Sequence, residues 1–207
     1  ELEPQPLMLG QGVPSLVSRA AVAAAEMSLL LRAARASFEH GELSDAAQTF
    51  RHAADMAASV VFGRLQCCSN SMEQGLVQYL TISGFHARLE QHAALAKLAD
   101  HSGALSALGG ARQFAGAAEQ VASRLEEALI AACCALASHM RHDMQLPLAD
   151  QAISLARKCS AAGSNVQSRL LREASLVRMA GGRHGHLEAI QHAKAALKLE
   201  AFGSIGH

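Results

Sequence analysis

Eleven histidines, five cysteines and one arginine–histidine spacing are the residues of this 207-residue chain with the clearest chemical potential. His139 and His142, three apart, could share a metal from one face of a helix, and His184 and His186 could do so with His192. Zinc takes three or four protein ligands backed by carboxylate or carbonyl partners, and the spacing supplies no further ligand to either group. Solvated helix ends, where histidine complements the helix dipole, are the expectation. Cys67-Cys68, Cys133-Cys134 and Cys159 form neither a disulfide framework nor a CxxC redox or zinc spacing, so reduced, half-buried thiols are expected. Gly181-Gly182-Arg183-His184-Gly185 has the glycine content of a phosphate loop, but no strand precedes it and no Gly-Lys-Ser/Thr follows. Serine, histidine and aspartate occur without a nucleophile-elbow sequence. The reading is therefore non-enzymatic, with no catalytic residue, metal or cofactor expected.

Composition points to the elements that must carry any function. Half of the residues are hydrophobic, enough for a substantial core, yet only 3% are aromatic, with no Trp and the single Tyr79. Alanine and leucine favour helices, and the β-branched and aromatic residues that strands use are scarce. Eighteen basic and eighteen acidic residues cancel, which leaves no long-range field to draw nucleic acid or an anionic membrane. The most apolar run, Ala128 to Ala137, is half of the roughly 20 residues that a bilayer span needs. The opening Glu-Leu-Glu-Pro-Gln-Pro does not read as a signal peptide, so the reducing cytoplasm is the expected compartment.

Prolines at 4, 6, 14 and 147 leave Ser15 to Leu146 free of the residue that most reliably breaks helices. Residues 1–12 read as a linker, after which Pro14 suits the first turn of a helix. Leu43, Ala46, Ala47, Phe50, Ala53, Ala54, Ala57, Val60 and Val61 follow amphipathic three-and-four spacing. Gly41 separates that helix, expected to reach about Cys68, from a first one over Ser15 to His40. A capping-box pattern, Ser71-Met72-Glu73-Gln74, starts a third helix, with Gly84 as its weak point and Gly103 as its stop. A fourth is expected from Ala104 to about His142, interrupted or kinked at Gly109-Gly110. Pro147 opens a fifth, ending at Gly163; Ser164-Asn165-Val166-Gln167 caps a sixth, broken by Gly181, Gly182 and Gly185; Leu187 to Glu200 forms the last. About seven helices with short connections make an all-α, antiparallel bundle.

Gly41, Leu43, Ala46, Phe50 and Ala53, with Ala34, Ala36 and Phe38 on the preceding helix, resemble the helix-turn-helix of tetratricopeptide (TPR) repeats. In such a hairpin a bulky residue of one helix enters a gap that alanine leaves on the other. Ala189-Ile190, Ala193 and Ala196-Leu197 look like a second copy, and Ala152-Ile153, Ala156 and Cys159 a weaker one, 37 residues earlier against a family period of about 34. Phe38, Leu43, Ala46, Phe50, Ala53, Ala189 and Leu197 are the expected helix-packing residues.

A continuous third helix resembles instead the MIT (microtubule interacting and trafficking) domain, whose second-helix pattern is similar to Leu43 through Ala53. That likeness divides the chain into a three-helix unit at 13–102 and a more divergent unit at 103–207. Tandem MIT units occur at the C-terminal ends of autophagy-initiating protein kinases, and Glu119 to Glu127 and Phe50 to Val61 look like helices of that region. The resemblance implies a regulatory region that docks an adaptor and reaches membranes only through it. Arg178 and His184 resemble the Arg-x5-His nuclease motif of HEPN helical domains, although Met179 follows the arginine and Gly181-Gly182 interrupts. The preferred expectation is a module that binds a partner's helix or short linear motif. A generic TPR-like scaffold and a HEPN-like ribonuclease are the alternatives, and adjacent cysteines or exposed leucines could equally serve a homo-oligomer.

Overall fold

The computed structural model describes residues 16–63, 71–118, 121–159, 163–182 and 185–203, and eight α-helices account for nearly all of them. These are α1 (Leu16–Glu39), α2 (Leu43–Val61), α3 (Ser71–Lys97), α4 (His101–Ala117), α5 (Ala122–His142), α6 (Leu146–Arg157), α7 (Ser164–Ala180) and α8 (His186–Gly203). The all-α, antiparallel expectation holds, with one helix more than the seven expected. No helix among the described residues is long and apolar enough to cross a membrane.

The extra helix comes from the expected Ala104–His142 stretch. Gly109 and Gly110 do not interrupt it: α4 runs through both and ends at Ala117, and α5 begins at Ala122. A glycine inside a helix costs about 1 kcal/mol against alanine, but here the space is used. A β-carbon on Gly110 would stand 2.8 Å from Nε of Arg88 on α3. Gly84 likewise does not weaken α3, which is unbroken for 27 residues, about 40 Å. The fully buried ring of Phe114 fills the space over its backbone, and Phe62 stacks tilted on Phe114 at 5.2 Å. Two boundaries also move inward: α2 ends at Val61 rather than near Cys68, and α6 at Arg157 rather than Gly163.

Three of the connections are the same turn built from different residues. After α1, Gly41 has φ of +85°; its N–H donates to the carbonyl of Phe38, and that of Glu42 donates to Ser37. After α3, Ala99 (φ +58°) and Asp100 donate in the same way to Ala96 and Leu95. After α5, Met144 (φ +57°) and Gln145 donate to Arg141 and Met140. Each is a Schellman cap, in which one left-handed residue closes a helix, and each leads at once into the next helix. Asp100 adds a carboxylate cap, accepting from the N–H of Gly103 at 2.9 Å. Gly103 thus opens α4 rather than stopping α3. After α7, Gly182 (φ +90°) again takes the left-handed position.

The described residues therefore form four helical hairpins, α1–α2, α3–α4, α5–α6 and α7–α8. The second helix of each of the first three packs against the first helix of the next, α1 lies also on α3, and α5 on α7. One apolar cluster runs from Ala20 to Val177, filled by alanine gaps and by Met27, Phe50, Phe85, Leu108, Phe114, Leu129 and Ile153. The boundary expected at residue 102 lies within the first turn of α4, inside this continuous core.

Candidate interaction surface and polar networks

Of the seven residues expected to pack helices together, Ala46, Phe50, Ala53 and Ala189 are buried. Leu43 and Phe38 are half-buried; Phe38 lies against the core with Nζ of Lys97 over its ring at 4.1 Å, a cation–π contact that joins α1 to α3. Leu197 departs from the expectation. It is 65% exposed, and its neighbour Ala196 turns inward instead. The TPR-like spacing places the two side by side, but α8 meets α7 with a face too narrow to cover both.

Leu197 is not alone. Leu187 is 70% exposed and Ile190 52%, and the three recur at steps of three and seven along the outward side of α8. On a helix these steps hold them within one stripe. Lys194 and Lys198 are exposed on the same side. The acids of α8 are committed elsewhere: Glu188 pairs with Arg178 at 3.2 Å, and Glu200 with Arg172 and with the hydroxyl of Ser168 at 2.7 Å. Those two donors hold the Glu200 carboxyl below its ordinary range.

The Arg178 guanidinium contacts Asp150 at 3.1 Å as well as Glu188, so it ties α6, α7 and α8 together. His184, its partner in the nuclease-like spacing, lies outside the described residues, as do Cys67 and Cys68. His139 and His142 are exposed. His192 is instead drawn into a pair with Arg157: the guanidinium donates to Nε2 at 2.8 Å. Burial, reinforced by Arg157, lowers the pKa of His192. Among the described residues no three His, Cys, Asp or Glu side chains come together as a metal site.

The remaining polar groups brace helix ends and interfaces. His101, only 5% exposed, meets a carboxylate oxygen of Asp143 at 2.8 Å through Nε2, joining the start of α4 to the end of α5. Arg88 donates to Gln91 at 2.8 Å and pairs with Asp55 of α2. Arg35 grips Glu90 with two nitrogens, at 2.6 and 3.0 Å. Burial lowers the pKa of His92, and the nearby His139 adds to the effect. Cys133 and Cys134 are buried and Cys159 half-buried. Burial pushes the Cys133 thiol far up and that of Cys134 to about 11, so neither is an activated nucleophile.

Asn165, Ser168, Arg169, Arg172, Glu173 and Glu200 line a shallow polar cleft of about 330 Å³ at α7 and α8. Its two arginines and two glutamates balance. No sequence signal marked this cleft, because its residues come from two helices and are ordinary surface types.

The fold and these surfaces define an all-α bundle of stacked hairpins. No protein-family model matches the chain, and none of the curated proteins compared with it does.

Proposed function

We propose that this chain is a non-enzymatic interaction module that binds a partner's helix or short linear motif. The observation that carries the reading is the exposed stripe of Leu187, Ile190 and Leu197 on α8, which leaves apolar surface in water at helical spacing. Arg35, Arg88, His101, Arg157, Arg172 and Arg178 support it, since each is engaged in bracing one helix against another.

Two narrower versions draw on different features. Four hairpins joined by repeated turns favour a generic TPR-like scaffold. The unbroken α3 favours an MIT-like first unit, and with it the adaptor-docking region of an autophagy-initiating kinase, acting in the cytoplasm.

Panning a library of randomised helical peptides on the immobilised chain tests the reading. The expected result is enrichment of amphipathic sequences that bind in the micromolar range. Failure to enrich any helix, together with RNA cleavage that disappears in Arg178→Ala, would replace this reading with the ribonuclease.

A further inference from the structure

We infer that the outward face of α8 is the docking site for one further helix, supplied by a partner and amphipathic with acidic flanks. The inference rests on the interaction-module reading and narrows it to a site and a chemistry.

The shape of the occupant follows from the fold's own repetition. In each earlier hairpin the second helix is covered on its far side by the next helix: α3 covers α2, α5 covers α4 and α7 covers α6. Nothing among the described residues covers α8, which packs chiefly on α7. The sequence pattern is shared as well. Ala189-Ile190 and Ala196-Leu197 repeat the doublets Ala46-Ala47 and Ala53-Ala54 of α2, seven residues apart in both. In α2 all four positions are buried. In α8 the first member of each doublet is buried against α7, while the second, Ile190 or Leu197, faces water. Ile190 and Leu197 thus occupy positions that α2 buries, Leu187 matches the exposed Ser44, and all three are large rather than small. Such side chains in water are the hydrophobic half of a helix-in-groove contact.

The charge of the occupant follows from what the face presents. Lys194 falls in the stripe between Ile190 and Leu197, and Lys198 follows it, both exposed. Glu188 and Glu200 are turned to Arg178 and Arg172 of α7. The stripe therefore offers hydrophobic contacts and two positive charges that no acidic side chain among the described residues pairs with. An acidic helix satisfies both. A second copy of α8 would bring four lysines to one small interface, and like charges brought together disfavour association.

Two labelled peptides of about four helical turns, identical in leucines at three-and-four spacing and differing only in flanking Glu or Lys, would be titrated against the full chain at low ionic strength. The Glu peptide is expected to bind about tenfold or more tighter. Leu197→Glu and Ile190→Glu should abolish that binding with an unchanged urea midpoint, and the double variant Lys194→Glu/Lys198→Glu should reverse the preference toward the Lys peptide. Equal affinity for the two peptides would overturn the inference. So would binding that ignores the α8 substitutions, which leaves the interaction-module reading standing with its site elsewhere. Sedimentation showing a dimer that Leu197→Glu dissociates would assign the face to a second copy.

Discussion

The ring of Phe114 on α4 rests on the backbone of Gly84 at the middle of α3, so close that a β-carbon there would stand 2.5 Å from both Cε1 and Cζ. The ring is itself fully buried and has nowhere to retreat. Gly84→Ala is therefore expected to destabilise the fold, because overpacking costs about 1–3 kcal/mol against about 1 kcal/mol gained in helix propensity. In a Phe114→Leu background the same change should be neutral or stabilising. A double-mutant cycle by urea denaturation measures this coupling.

Phe50 and Leu197 were drawn from the same sequence pattern but should respond in opposite ways. Phe50 is 1% exposed in the core, and Phe50→Ala is expected to cost about 3–5 kcal/mol. Leu197→Glu removes a side chain from water rather than from the core, and should change stability by less than about 0.5 kcal/mol. Thermal and urea unfolding of the two variants would show whether that assignment is right. A Leu197→Glu chain as unstable as Phe50→Ala would contradict it.

Mild acid should weaken the fold through two histidines. His92 and His192 have folded pKa values below the unfolded value near 6.5, because burial disfavours their charged forms. Above that value both states are neutral and stability is at its full level. As the pH falls below 6.5 the unfolded chain takes up protons first, so stability declines until the folded pKa values are passed. Urea midpoints at neutral and mildly acidic pH should show the decline, and His92→Gln should flatten part of it. A midpoint that rises on acidification would refute the assignment.

Thiol reactivity should sort the described cysteines by burial. In a Cys67→Ser/Cys68→Ser background, Cys159 is expected to react first with a thiol reagent at mildly alkaline pH. Cys133 and Cys134 should wait for unfolding, since both are buried and their thiols are pushed up. Mass spectrometry of the labelled chain reports the order, and early labelling of Cys133 would show that α5 opens locally.

Much of the helical content was legible because alanine and leucine recur at three-and-four spacing, most plainly in α2, where every expected apolar position from Ala46 to Ala57 is buried. The turns were legible only where glycine advertised them, as at Gly41. Ala99 and Met144 close α3 and α5 in the same left-handed conformation, although that conformation costs a non-glycine residue roughly 1–2 kcal/mol. No residue-type signal marks them. Gly84 and Gly110 misled in the opposite sense. Each is a seat for a side chain from the neighbouring helix, a relation that exists only once α3 and α4 are paired. The polar pairs His101–Asp143 and Arg35–Glu90 join residues 42 and 55 positions apart, beyond the reach of local patterns. On α8, spacing located the apolar residues but could not decide which of Ala196 and Leu197 faced α7.

Because each helix leans chiefly on those just before and after it in the chain, little of the structure waits for distant segments. Folds dominated by such local contacts form quickly, and domains fold N-terminal end first during synthesis. The α1–α2 hairpin can close as soon as α3 arrives to cover it, so assembly can keep pace with translation, each hairpin serving as the template for the next. On the proposal above, the partner's helix would take the place on α8 that each later helix takes on the hairpin before it.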